Sequence, residues 1–153
     1  MGEVATSLPV VEGIQIFPLK QFRDERGMVM HMLRKDAIFF FPVAELYFST
    51  VNKGFVKGWK RHKLITQNFS VVVGTLKLVI YDDRMASKTK GTVQEIFIGR
   101  DNYGLVRIPP LVWYGFQSVG QGEAVIANCI DLPHDPAESE TKDINTRDIP
   151  YVF

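Results

Sequence analysis

Ser70-Val71-Val72-Val73-Gly74-Thr75-Leu76-Lys77-Leu78-Val79-Ile80-Tyr81-Asp82-Asp83-Arg84 is the stretch on which the fold turns. Ser70 to Val73, with three β-branched valines, is a strand that ends at Gly74, where glycine permits a tight turn. From Thr75 to Asp82 the residues alternate. Leu76, Leu78 and Ile80 fall on one face, and Lys77 and Tyr81 on the other, the period of two that marks a half-buried strand. Asp82-Asp83-Arg84 closes this strand, and Met85 to Gly91 reads as a polar loop. Working outward, Gly104 to Ile108 and Glu123 to Ile130 are two more strands. Turn residues recur at short intervals from Gly13 to Gly122, and no long amphipathic helical window interrupts them. Many short strands between such breaks predict an all-β sandwich or barrel. Pro133 to Arg147 is polar and acidic and is expected to be a surface segment ending in a short helix or turn, whereas the apolar Ile149 to Phe153 is expected to dock back on the barrel.

The 153 residues suit one domain, spanning 1–153, with no linker, repeat or low-complexity stretch to divide it. A chain of this size can bury a hydrophobic core without a disulfide or metal staple. Eighteen Lys and Arg against seventeen Asp and Glu leave a formal net charge of +1, far from the strongly basic surface that a nucleic-acid backbone demands. The longest apolar run, Ala37 to Ala44, is too short to span a bilayer. Met1 to Glu12 lacks the basic-then-apolar profile of a secretory leader. Cys129 is the only cysteine, which rules out an intramolecular disulfide and suits a reducing compartment. The expectation is a cytoplasmic protein with neither nucleic acid nor membrane as partner.

Two stretches carry more specific information. The first is Gly58-Trp59-Lys60-Arg61-His62-Lys63, followed by Gln67 and Gly74; the second is Ile108-Pro109-Pro110-Leu111-Val112-Trp113-Tyr114-Gly115-Phe116. In order and separation they resemble the two cupin motifs, His-x-His then Glu then Gly, and a proline turn followed by His. On that resemblance Lys60, His62, Gln67 and Tyr114 occupy the four positions that hold a metal in other cupins. A divalent transition metal needs about three good protein ligands in an open site. Only His62 is one, and His31 and His134 stand at no ligand spacing, so no metal is expected.

The chain as a whole resembles the dTDP-4-dehydrorhamnose 3,5-epimerase family, metal-free cupins that act on nucleotide-linked sugars. The residues behind this run from end to end: Asp24-Glu25-Arg26-Gly27, Gly54 to Trp59, Val73-Gly74 through Tyr81-Asp82-Asp83-Arg84, Ile108 to Phe116, and Ile149-Pro150-Tyr151. Gly58 to Lys63 also resembles the Gly-His-x-His-Lys segment of the related sugar 3,4-ketoisomerases. The resemblance implies a cupin jelly-roll β-barrel (double-stranded β-helix) and a homodimer that exchanges N-terminal strands, so that Arg26 reaches the neighbouring subunit's nucleotide. It also exposes departures. The family's basic His is Lys60 here, its Asp partner falls near Asp143 or Asn145, and its Tyr acid falls in Asp131 to His134, where there is no tyrosine.

The function so implied is metal-independent epimerisation or ketoisomerisation of a nucleotide-linked 4-keto-6-deoxy sugar, by proton abstraction next to the ketone, with no redox cofactor. Lys60, His62 and Tyr114 are the catalytic candidates; Arg26, Lys57, Trp59, Arg61, Gln67 and His134 are the substrate-binding candidates. A lysine serves as base only if burial or nearby cations bring its pKa well below about 10.4. The competing class is a cupin that binds a sugar nucleotide or other small molecule and has lost turnover; a purely structural cupin is a third. Most of these residues also have a structural alternative: core packing for Trp59, a solvated face for Lys57, Arg61 and Lys63, a hydrogen-bonded lining role for His62, hydrogen-bonded plugging of the cavity for Gln67 and Tyr114, a surface loop for His134, and an ion pair with Asp24 or Glu25 for Arg26. Sequence alone leaves open which of Lys60 and His62 faces the interior, because a one-residue slip reverses the faces.

Overall fold

A computed structural model describes residues 10–153. The reading of Met1 to Glu12 as lacking a leader therefore falls mostly outside the described residues. Among the described residues twelve strands form: β1 Gln15–Pro18, β2 Gln21–Asp24, β3 Gly27–Met30, β4 Glu45–Val51, β5 Val56–His62, β6 Gln67–Val73, β7 Thr75–Tyr81, β8 Val93–Gly99, β9 Gly104–Ile108, β10 Trp113–Ser118, β11 Ala124–Ile130 and β12 Ser139–Thr141. One five-stranded sheet runs β1-β9-β6-β11-β4 and a second runs β12-β5-β10-β7-β8, while β2 and β3 make a separate hairpin. All the paired strands are antiparallel. The expected all-β jelly roll is what forms.

The alternation that identified β7 also places the core. Leu76, Leu78 and Ile80 point between the sheets, where they meet Phe69 and Val71 of β6, Ile96 and Ile98 of β8, Val106 of β9 and Ile126 of β11. The chain passes from the first sheet to the second at Gly74, with φ of +77°, a conformation glycine adopts readily. A Cβ there would overlap the carbonyl oxygen of Glu123 and come within 2.9 Å of Ala124 Cα, so both backbone angle and space demand glycine.

The outer face of the second sheet carries its own apolar cluster. Trp59, Val79 and Trp113 are buried there with Ile149, and Tyr151 and Phe153 pack against them. The C-terminal tail thus docks as its composition predicts. The segment before it, Pro133 to Arg147, lies largely at the surface and ends in turns as expected, but it also carries an unforeseen strand, β12, paired with β5 through Ser139↔His62, Glu140↔Arg61 and Thr141↔Lys60. A short 3-10 helix, Pro136–Glu138, precedes it, capped by the Asp135 side chain accepting from the Ala137 amide.

Candidate active site

A cavity of about 230 Å³ opens between the sheets, walled by strands β4, β5, β6, β10 and β11. Its chemistry begins with an irregularity in β5. Tyr114 pairs with Lys60 and Phe116 with Lys57, so Gly58 and Trp59 together stand opposite the single residue Gly115. That is a β-bulge, and it changes which residues share a face. Gly58 and Gly115 approach so closely that a Cβ on Gly58 would lie 2.7 Å from Gly115 Cα. Past the bulge, Lys57 joins Lys60 on the cavity wall, whereas strict alternation would have put them on opposite faces.

His62, two residues beyond Lys60, also faces inward and is buried. It does not itself line the cavity; it stands behind Tyr114, which does. The Nε2 of His62 lies 3.3 Å from the Tyr114 hydroxyl, and its Nδ1 lies 2.7 Å from Glu138 Oε2. The other Glu138 oxygen accepts from the backbone amides of Leu64, at 2.8 Å, and Ile65, at 3.0 Å. Burial works to raise the Glu138 pKa, but the Leu64 amide, the His62 ring and the Ile65 amide together hold it below the ordinary carboxylate value. Burial also lowers the His62 pKa, against the opposing pull of Glu138. The pair at rest is therefore carboxylate and neutral imidazole. Glu138 can only accept, so Nδ1 carries the hydrogen and Nε2 presents a lone pair to Tyr114.

The network continues across the barrel. Tyr114 can donate instead to Gln67 Oε1, at 3.2 Å. Asn128 Nδ2 donates to the same Gln67 oxygen at 3.1 Å and to the Tyr47 hydroxyl at 2.9 Å. Burial pushes the Tyr114 phenol well above its usual range. Lys57 Nζ reaches Ser49 Oγ at 3.4 Å. Among the described residues two lysines and no carboxylate line the cavity, and Phe69, Phe116 and Ile126 supply apolar wall.

Of the residues picked from sequence, Lys57, Lys60, Gln67 and Tyr114 meet at the cavity and His62 backs it. The rest are elsewhere. Trp59 is fully buried on the opposite face of β5 beneath the C-terminal tail, because the bulge turns it outward. Arg61 is also on the outer face, paired with Glu140 at 2.6 Å and Asp83 at 3.2 Å and lying over the Trp113 ring. Arg26 is exposed in the β2–β3 hairpin and paired with Asp24 at 2.7 Å. His134 lies in an exposed loop, where its backbone amide donates to Glu45. Asp143 and Asn145 lie in an exposed turn, bonded to each other. Sequence reasoning missed Tyr47, Asn128 and Glu138. Asn128 gave a signal, as a polar residue inside the apolar run Ile126 to Ile130; Glu138 gave none. Among the described residues no group of three or more His, Cys, Asp or Glu side chains is placed to hold a metal ion.

Comparison with known proteins concerns the chain as a whole. A sequence model of the dTDP-4-dehydrorhamnose 3,5-epimerase family matches residues 9–150. A Haloferax volcanii protein described as a probable low-salt glycan biosynthesis epimerase is 29% identical over 123 residues, 79% of each chain. The crystal structure of a dTDP sugar isomerase from Desulfovibrio desulfuricans is 48% identical, with a TM-score of 0.89 over 92% of this chain and 90% of that one. A 3'-monoepimerase from Streptomyces bikiniensis, solved with dTDP-quinovose, is 18% identical with a TM-score of 0.82 over 92% of this chain and 75% of its own; at that identity the likeness shows the fold.

Proposed function

The chain belongs to the dTDP-4-dehydrorhamnose 3,5-epimerase family, and from that premise we propose that it is an epimerase or ketoisomerase of a nucleotide-linked 4-keto-6-deoxy sugar, acting by proton abstraction next to the ketone. The observation that carries this reading is the line Glu138–His62–Tyr114, which ends with a phenol on the cavity wall. Removing a proton beside a ketone needs a base and a group to stabilise the enolate oxygen. The proton goes to the Tyr114 oxygen as Tyr114 passes its own to Nε2 of His62, and Glu138 steadies the imidazolium that forms. The Lys60 ammonium, neighbour of Tyr114 across the β5–β10 pair, faces the developing oxyanion. Lys57 at the same wall offers a second cation to the diphosphate, and a lining without carboxylates among the described residues favours an anionic ligand.

The donor set supports a reaction that needs no metal. His62 has both ring nitrogens engaged, by Glu138 and Tyr114, and Lys60, Gln67 and Tyr114 are poor partners for a transition metal. A homodimer is part of the same reading: β4 turns Leu46 and Phe48 to the outside, and the β2–β3 hairpin exposes Phe22 and Val29, apolar surface that a second copy would cover. Cys129 is buried and free, consistent with a cytoplasmic setting.

The test is to incubate metal-stripped protein with dTDP-4-keto-6-deoxyglucose and follow the sugar ring protons by NMR. New ring signals in the presence of chelator support the proposal. Line broadening of the nucleotide with an unchanged sugar would instead indicate a binding protein.

A further inference from the structure

Inverting a carbon beside a ketone takes two proton carriers, one on each side of the flat enolate, because a single carrier returns the proton to the face it left. Tyr114, on β10 of the second sheet, is one. Tyr47, on β4 at the edge of the first sheet, faces the same cavity. The two phenols are tied through Asn128 and Gln67 yet differ in what their oxygens meet. Tyr114 has two acceptors within reach, His62 Nε2 and Gln67 Oε1. Tyr47 meets the Asn128 Nδ2 group, which can only donate. Both Asn128 amide hydrogens are committed, one to Tyr47 and one to Gln67. The Tyr47 oxygen is thus a hydrogen-bond acceptor toward the protein, and its own O–H has no acceptor among the described hydrogen bonds and is left for the cavity.

We infer that Tyr47 is the second proton carrier, the acid that delivers a proton to the enolate from the side opposite Tyr114. This rests on the reading of the cavity as a sugar-enolising site. In the first step the C–H bond beside the ketone breaks. Its proton goes to the Tyr114 oxygen, the Tyr114 proton goes to His62 Nε2, and the electron pair becomes the enolate, its charge on the oxygen beside Lys60. In the second step the enolate carbon takes the Tyr47 proton on its other face, giving the inverted carbon and a Tyr47 phenolate held by the Asn128 N–H. Water in the cavity then returns a proton to Tyr47 and removes one from Tyr114 as His62 gives its extra proton back, so no net proton is consumed. Burial raises the Tyr47 pKa against the pull of Asn128, which keeps the phenol protonated and able to donate at neutral pH.

The experiment uses the full chain with dTDP-4-keto-6-deoxyglucose in deuterated water, with deuterium incorporation and configuration read separately by NMR. Wild type should incorporate deuterium and invert. Tyr47→Phe should still incorporate deuterium, with retained configuration, and lose inversion by about 10²-fold or more. Tyr47→Phe inverting at the wild-type rate, or losing exchange and inversion equally, overturns the inference. Tyr47→His restores a proton donor and should regain inversion with its pH limit moved from the phenol range toward the imidazole range; an unmoved profile also overturns it. A wild type that neither exchanges nor inverts brings down the proposed function, and this inference with it, an outcome separable because it is read before any substitution.

Discussion

Glu138 and His62 lie 76 residues apart in sequence and 2.7 Å apart in space. The contact exists because β12 pairs with β5 and sets the short helix before it against the end of that strand. Glu138→Gln tests what it does. The glutamine oxygen can still accept from Leu64 and Ile65, but its amide can only donate toward Nδ1, which drives the hydrogen to Nε2 and denies Tyr114 its proton acceptor. The expected loss in kcat is roughly 10²- to 10⁴-fold, with a stability loss of about 1–2 kcal/mol. Glu138→Ala should be the less stable of the two, since it orphans both amides. Paired kinetics and thermal melts of the two variants check this.

The pH dependence follows from the direction of the His62 shift. Burial lowers its folded pKa below the value of 6.5 expected of the unfolded chain. The unfolded state therefore binds the proton more readily, and the stability contributed by neutral His62 is fully present above about 6.5 and is lost as pH falls through the folded pKa. Glu138, also lowered, adds a loss of the same sign further into acid. Melting temperature should be flat from pH 8 to 7 and decline below, and His62→Gln should remove the upper part of that decline. A profile for His62→Gln that superimposes on wild type would count against the burial account.

Lys60 and Arg61 are neighbours with opposite environments. Lys60→Met should lower kcat by about 10²-fold or more, as the loss of one oxyanion-stabilising group does. Arg61→Gln removes a pair to Glu140 and Asp83 on the far face and should leave kcat/KM unchanged, with a small fall in melting temperature. Steady-state kinetics on the two variants read the facing of β5 directly.

Trp59 is a stability residue on this account. Trp59→Ala should cost about 3–5 kcal/mol through the cavity it leaves beneath the tail. Trp59→Phe should cost less, because the indole N–H it removes is buried without a hydrogen-bond partner. Urea titrations of both variants give the comparison.

What the sequence made legible depended on how local the cause was. β7 and β9 were readable because alternation and flanking glycines act over a few residues, and Gly104–Ile108 was placed to the residue. β4 was not, because its pattern is inverted: Leu46 and Phe48 face out while Tyr47 and Ser49 face the cavity. Lys57, Trp59 and Arg61 were all assigned to substrate, yet the bulge at Gly58 sends only Lys57 to the cavity, and nothing in the residue order beyond a glycine announces a bulge. The question of whether Lys60 or His62 faces inward dissolves in the structure: they are two residues apart and both do. Glu138 was illegible because the groups its carboxylate bonds, the His62 ring and the Leu64 and Ile65 amides, are distant in sequence.

The central claim is that Tyr114, backed by His62, exchanges a proton with carbon beside a ketone. Its most direct test is proton NMR of dTDP-4-keto-6-deoxyglucose in deuterated water with wild-type protein and with Tyr114→Phe. The account predicts that wild type erases the C3 or C5 proton signal and that Tyr114→Phe, folded and at the same concentration, does not. Exchange undiminished in Tyr114→Phe would contradict the assignment of Tyr114, and no exchange by wild type at high protein concentration would contradict enolisation of this sugar altogether.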